Sequence, residues 1–302
     1  MPSTLVTGAN GFVAATIIDD LIAQGHTVTG SVRSTAKGEQ MLAFHPEYKG
    51  KLDFVVVSDY AAPGTWDKTF QEKEFEYVIH TAAPLLDDPA NTDFVKHFLE
   101  PNIASRTFTS SEWLPLTIND AISAQHPYIS YCVAKSESEK ALWKYYTDST
   151  PPYKLTVLLP GLIFGPPLQP VTNLKKINYS NDVFYSLFNG TYETTPDTSF
   201  PSYIDVRDLS FAHIQALTME SVWGQRLIVG GNKYSSQIAV DALKKVEGLE
   251  GRLPKDGEEA EKVVNFGDVE AWNGKIGLVP RSPETTFGDA ARRILELETL
   301  LK

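Results

Sequence analysis

An α/β protein built on a parallel sheet is what the sequence predicts, and three neighbouring stretches predict it. Thr4-Leu5-Val6-Thr7 is a short β-prone run, residues 12–22 repeat their apolar positions at helical spacing, and residues 27–33 are β-prone again. Gly8-Ala9-Asn10-Gly11 joins the first two stretches, and Gly25-His26 stops the helix. Strand, tight turn, helix and strand in that order form the opening unit of a doubly wound parallel sheet.

The glycine turn carries the first functional expectation. Gly8, Gly11 and the small Ala14 stand at three-residue steps. A turn without side chains lets backbone N–H groups approach a pyrophosphate, which then rests at the positive end of the helix. A plain βα turn uses the same glycines, but the flanking strands and helix favour a dinucleotide site of Rossmann type. Its expected contacts are Gly8, Asn10, Gly11, Phe12 and Val13. At the end of the second strand stand Ser31, Arg33 and Lys37, with no carboxylate among them. An acidic side chain there binds the ribose hydroxyls of NAD and a basic one meets a 2′-phosphate, so NADP is the expected cofactor.

Further on, residues 54–57 form a continuous apolar run suited to a buried parallel strand, with Asp59 and Tyr60 beyond it beside the expected adenine. Residues 77–80 make another strand. They lead into Thr81-Ala82-Ala83-Pro84, whose small side chains leave room for cofactor at Ala82.

Tyr131 and Lys135 lie four residues apart on a helical stretch that runs through Glu139, Ala141, Leu142 and Trp143. A phenol with a pKa near 10 is a poor proton shuttle at neutral pH, and a nearby ammonium lowers that value. Tyrosine can then give a proton to a carbonyl oxygen as hydride arrives. Alone, such a pair is an ordinary solvated helix face; downstream of a dinucleotide turn it points to hydride chemistry.

Taken together, Thr7-Gly8-Ala9-Asn10-Gly11-Phe12-Val13-Ala14, Ser31-Val32-Arg33-Ser34, His80-Thr81-Ala82-Ala83-Pro84 and the Tyr131–Lys135 pair resemble the extended short-chain dehydrogenase/reductase family. The nearest branch is similar to dihydroflavonol-reductase-like enzymes, especially fungal NADPH-dependent aldehyde, ketone and methylglyoxal reductases. Glu112-Trp113-Leu114-Pro115-Leu116-Thr117, residues 159–166 and residues 203–209 extend the likeness over nearly the whole chain. The resemblance implies that Gly8, Gly11 and Phe12 hold pyrophosphate, Arg33 and Lys37 hold the 2′-phosphate, and Pro160-Gly161 borders the nicotinamide. It gives Tyr131 and Lys135 the proton chemistry, with Lys135 also bonding the nicotinamide ribose.

One departure from the family stands out. Its members place a long helix and a fifth strand ending in Thr-Ser-Ser between the fourth strand and the tyrosine, and that serine bonds the substrate carbonyl. Residues 84–130 have room for a loop at Asp88-Pro89, the start of a helix at 94–102 with Asn102 to Ser105, and the Trp113 loop, but not for that unit. Losing a crossover and its strand would expose sheet edges. Thr109-Ser110-Ser111 reads better as loop than as a remnant of the serine strand after 106–108, so Ser110 and Ser111 are weak catalytic candidates.

The Pro-rich stretch 160–170 suggests a division into a dinucleotide-binding domain, 1–160, and a mainly substrate-binding lobe, 161–302, some segments of which return to the sheet. Helices are expected over 182–189, 209–217, 238–246 and 286–301, and a strand over 226–231. Asp208 is expected to cap its helix and His213 to pack; no residue spacing suggests a zinc site. With 27 basic and 38 acidic residues, a net charge of −11 gives no general attraction to nucleic acid or anionic lipid. No apolar run reaches the length that spans a bilayer. Cys132 alone cannot form an internal disulfide, and the N-terminal residues do not read as a signal peptide, so a cytoplasmic monomer or homodimer is expected. The leading expectation is a reductase acting on a small carbonyl compound. The alternatives are a cofactor-binding protein without turnover, whether an impaired family member or the product of a defective gene model, and a sugar-nucleotide epimerase or dehydratase with tightly bound NAD.

Overall fold

The computed structural model describes residues 1–83, 106–198, 200–257 and 264–302. Pro84, the Asp88-Pro89 loop, the helix start at 94–102 and Ser105 lie outside these residues. The first half builds β1 (Ser3–Thr7), α1 (Phe12–Ala23), β2 (Thr27–Val32), α2 (Thr35–Phe44), β3 (Leu52–Val56), α3 (Asp67–Glu72) and β4 (Tyr77–His80). Their strands form one parallel sheet in the order β3-β2-β1-β4, with Leu5 of β1 opposite Thr29 and Val78. Val6, Ile17, Ile18, Leu21, Val28, Met41 and Ile79 interlock beneath it. Each such side chain contributes about 1.5–3 kcal/mol on burial. The run expected to be a buried parallel strand, 54–57, falls largely in β3, which is the edge strand among the described residues, and Val56 is 53% exposed.

Next come β5 (Thr107–Phe108), α4 (Ile118–Ala124), α5 (Pro127–Ser149), β6 (Thr156–Pro160), β7 (Leu162–Phe164) and α6 (Tyr179–Tyr185). They are followed by β8 (Ser202–Asp205), α7 (Val206–Thr218), β9 (Gln225–Val229), β10 (Asn232–Lys233), α8 (Ser236–Leu243), β11 (Asn265–Phe266), α9 (Val269–Ile276) and α10 (Pro283–Leu300). β6 pairs in parallel with β9, from Thr156 opposite Gln225 to Pro160 opposite Val229. β8 lies between β7, parallel to it, and β10, antiparallel.

Among the described residues, β4 pairs only with β1 and β6 only with β9. Among the described residues no strand joins β4 to β6. One helix touches both halves. The Ile214 side chain of α7 joins the core beneath β1 and β2, while Leu209 and Ala212 pack with Ile204, Leu227 and Val229, and Val13 of α1 touches both clusters.

The C-terminal lobe is closed by aromatic rings. Phe164, Phe184, Phe188, Tyr203, Tyr234 and Phe287 share one core, with Phe164 and Tyr234 at 4.8 Å between centroids. Phe287, Ala290, Ala291, Ile294 and Leu297 turn α10 inward, so the last helix packs on its own chain. Asp205, not Asp208, caps α7: its side chain accepts the Arg207 N–H at 2.8 Å. Asp208 sits in the first turn and accepts the Arg281 N–H at 2.8 Å while pairing with that guanidinium. His213 packs as expected, its Nδ1 against the Leu209 carbonyl at 2.8 Å.

Candidate active site

The glycine turn is held by backbone geometry. Gly8 has φ +71°, and a Cβ there would stand 3.1 Å from the Ala82 Cα. Its N–H donates to Ser31 Oγ at 3.0 Å, and the Ala9 N–H donates to the Ser31 carbonyl at 2.9 Å. Gly11 opens α1 without a side-chain cap, and no acid stands in the first turn. The N–H groups of Phe12 and Val13 therefore lead the helix with no intrahelical acceptor, beside the half-buried Asn10. That is a cradle for an anion and it fits a pyrophosphate.

Arg33 follows β2 and Lys37 lies in the first turn of α2, both exposed and neither in an ion pair with any described residue. Tyr60 reaches back to the turn, its hydroxyl 2.5 Å from Ser31 Oγ. Asp59 is spent locally: its carboxylate accepts the Ala61 N–H at 2.8 Å and closes the turn after β3.

Thr7, the last residue of β1, ties the end of β4 to this cradle. Its Oγ1 accepts the N–H groups of Thr81 and Ala82, each at 3.1 Å, and lies 3.0 Å from His80 Nδ1. Burial first, and then the charge of Lys135, hold the His80 imidazole below its ordinary range. Lys135 of α5 thus acts on the carboxyl end of β4, next to the glycine turn.

α5 begins at Pro127, with the His126 ring accepting the Tyr128 N–H at 3.2 Å, so Tyr131 sits one turn inside the helix. Tyr131 is half-buried and Lys135 exposed. The expected lowering of the phenol by the lysine is not what the structure gives. Burial, followed by the neighbouring Cys132, pushes Tyr131 up, because the ammonium is solvated and its influence falls on His80. Tyr131 is a protonated phenol across the neutral range.

Ser110 and Ser111 do not join this group. Thr107–Phe108 is indeed a short strand, but it pairs with Asn265–Phe266 rather than with the main sheet. Ser110 donates its N–H to Asp268 at 2.8 Å and its hydroxyl to the same carboxylate, and Trp272 Nε1 donates to Ser110 Oγ at 3.3 Å. Ser111 Oγ is 2.7 Å from Thr109 Oγ1. The Ser111 hydroxyl is committed to its own loop and the Ser110 hydroxyl to the start of α9. Pro160 ends β6 exposed, and Gly161 is a close approach: a Cβ there would stand 2.9 Å from the Ser202 carbonyl oxygen.

Sequence reasoning passed over Arg226. From β9 its guanidinium stacks on the Trp113 ring at 3.7 Å, donates to both carboxylate oxygens of Glu139 at 2.7 and 3.1 Å, and donates to the carbonyls of Ser110 and Glu112 at 2.5 and 2.9 Å. It fastens α5 and the 106–113 loop to the sheet. Partners separated by 87 to 116 positions leave no local pattern to read.

Among the described residues no group of histidine, cysteine and carboxylate side chains is placed to hold a metal, and no helix is long and apolar enough to cross a membrane.

Comparison with known proteins accords with this geometry. Residues 4–107 match the model of the NAD dependent epimerase/dehydratase family. An uncharacterised oxidoreductase of Schizosaccharomyces pombe is 30% identical over 336 aligned positions, covering 98% of each chain. The NADPH-dependent methylglyoxal reductase of Saccharomyces cerevisiae is 29% identical over 344 positions, covering 98% of this chain and 99% of the reductase. The crystal structure of yeast methylglyoxal/isovaleraldehyde reductase complexed with NADPH superposes with a TM-score of 0.85 at 28% identity, covering 98% of this chain and 99% of that one. Both sequence alignments run longer than the 302 residues here, so these relatives carry segments that this chain lacks. Spanning those relatives almost end to end, with the same fold and the glycine turn in place, the chain belongs to the NAD dependent epimerase/dehydratase family, the extended short-chain dehydrogenases/reductases.

Proposed function

We infer that this protein is an NADPH-dependent reductase that passes hydride to the carbonyl carbon of an aldehyde or ketone. The observation that carries the reading is the link running from the uncapped helix at Gly11, through Thr7 and His80, to Lys135 and Tyr131. It supports a reading in which the anion cradle and the Tyr131 phenol serve one bound cofactor. The reductase relatives, one named for NADPH and one seen with it bound, support the choice of cofactor and reaction.

NADPH, when bound, supplies the hydride. Gly8, Asn10, Gly11, Phe12 and Val13 hold the pyrophosphate; Arg33 and Lys37 take the 2′-phosphate; Tyr60 and Ala82 line the adenosine and nicotinamide sides. Asp59, tied to its turn, contributes to the adenine side through shape. Pro160 and Gly161 border the nicotinamide at the end of β6. Tyr131, kept protonated by burial, gives its proton to the substrate oxygen, and Lys135 and solvent restore it. The basic pair after β2, with no acid beside it, disfavours an NAD-dependent epimerase. A lone free thiol at Cys132 suits a reducing, cytoplasmic setting.

The test is NADPH consumption by the purified protein with small aldehydes, diketones and ketoesters. Turnover that disappears in Tyr131→Phe is expected. Folded protein that binds NADPH and consumes none would sink the reductase reading and leave a cofactor-binding protein.

A further inference from the structure

NADPH differs from NADH by a phosphate on the adenosine ribose, and a short chain of hydrogen bonds beside the glycine turn bears on how that phosphate is read. The Gly8 N–H donates to Ser31 Oγ at 3.0 Å, and the Tyr60 hydroxyl lies 2.5 Å from the same oxygen. The Tyr60 ring meets Trp66 edge-on, 5.6 Å between centroids, which helps hold it there. Ser31 belongs to β2, and Arg33 stands one position past the end of that strand. Tyr60 therefore touches β2 at its carboxyl end, where a dinucleotide-binding sheet reads the adenosine ribose.

Hydrogen counting fixes the direction of the chain. A serine hydroxyl has a single proton to give. Ser31 is fully buried, its Oγ already accepts the Gly8 N–H, and among the described residues Tyr60 is the only other polar partner of that side chain. Were Tyr60 the donor, the Ser31 proton would be left without an acceptor in a place closed to water, which folded proteins avoid. Ser31 therefore donates to Tyr60. The tyrosine proton then has no acceptor among the described residues, and the half-buried Tyr60 leaves it open to a ligand. A hydroxyl that is itself accepting a hydrogen bond is the stronger donor.

An NAD enzyme presents a carboxylate at this end of the strand, an acceptor for the ribose hydroxyls. Here the polarity is reversed. The relay starts at a backbone N–H, passes through Ser31 and ends in an O–H, which suits the accepting oxygens of a phosphate. Resting on the NADPH reading, we propose that the Tyr60 hydroxyl donates to the 2′-phosphate of the cofactor, as a specificity contact beside the charges of Arg33 and Lys37. Those two side chains are exposed, whereas Tyr60 is held between Ser31 and Trp66, so it adds direction to their attraction.

The experiment measures the affinity of wild type and Tyr60→Phe for NADP⁺ and NAD⁺, without substrate, by quenching of tryptophan fluorescence. Phenylalanine keeps the ring against Trp66 and removes one oxygen. NADP⁺ should weaken by about 10-fold, the low end for a hydrogen bond to a charged group, while NAD⁺ moves by less than about twofold. If Tyr60→Phe holds NADP⁺ within about twofold of wild type, the tyrosine proton does not reach the phosphate. If both cofactors weaken alike, the oxygen serves the glycine turn through Ser31 and the assignment falls. If wild type itself binds NAD⁺ as tightly as NADP⁺, the NADPH reading fails and takes this assignment with it.

Discussion

Two helices of this protein, α1 and α5, carry the two halves of the proposed chemistry and are held in opposite ways. α1 buries seven of its twelve residues, Phe12, Ala14, Ala15, Thr16, Ile17, Ile18 and Leu21. α5 is nearly twice as long, and Val133 is its only buried residue among those described. α1 lies on a sheet whose strands continue to either side of β1. α5 comes in the chain between β4 and β6, which no described strand joins. Among the described residues it is kept by its own surface and by a few anchors. On α5 these are Lys140 with Glu137, Lys144 with Asp148, the Trp143 indole on Glu139, and Arg226 reaching across from β9. The proposed cofactor cradle is thus built into the core, while the proposed proton donor rides on a helix that, among the described residues, is little buried.

The sharpest way to break this comparison is to remove core contact from α1. Ile17 is fully buried, so Ile17→Ala should lower unfolding free energy by about 3–4 kcal/mol, read by urea denaturation, through lost burial and the cavity left behind. Next in size is the anchor of α5. Arg226→Met keeps a stem against Trp113 but strands Glu139, both partners being mostly buried, at 15% and 14% side-chain exposure. Leaving one partner of a buried pair unmatched costs about 3–5 kcal/mol, and residual solvent brings this one to roughly 2–3 kcal/mol. The loss should appear as earlier exposure of α5 amides to hydrogen exchange while α1 stays protected. Uniform deprotection of both helices would show that the two regions unfold as one.

How much of this was legible in the sequence follows the same division. The first βαβ unit is local: a strand, a Gly8–Gly11 turn and an apolar helix lie within a few residues of one another, and each stands where the pattern put it. Contacts made across the chain were not legible. Nothing near Thr107 announces Asn265, and nothing near Ser110 announces Asp268 or Arg226. The cap of α7 was misassigned by one turn, because Asp205 and Asp208 both suit a helix start and only the position of Arg281 separates them. The direction of the Tyr131 shift was misread for a related reason. Helical spacing shows that Lys135 shares its face, but not how far burial outweighs a solvated ammonium.

Two smaller effects sharpen the contrast between cradle and proton donor. Arg33→Ser should weaken NADPH while leaving NADH nearly unchanged, a shift of about 10- to 100-fold in their kcat/KM ratio, as one charge-assisted phosphate contact is worth about 1.5–3 kcal/mol. An equal loss for both cofactors would place Arg33 away from the 2′-phosphate. The pH profile tests Tyr131 instead. A phenol whose pKa is raised stays protonated as pH climbs, so the donor form for reduction is present throughout and is lost only above pH 10. Between about pH 6 and 9, turnover should vary by no more than about twofold. A fall beginning near pH 8 would mean that Lys135 lowers the phenol once cofactor is bound.

The smallest expected effect is the most informative about α5. Leu142 lies on that helix 38% exposed, so Leu142→Ala trims a residue with more than a third of its surface in water. If the surface of α5 is as bare as the described residues show, thermal denaturation should shift by no more than about 0.5 kcal/mol, the range for substitutions away from packed features. Helix propensity pushes the same way, since alanine is the better helix former by a few tenths of a kcal/mol. A loss of about 2 kcal/mol or more would require Leu142 to be buried in solution. α5 would then be held as α1 is.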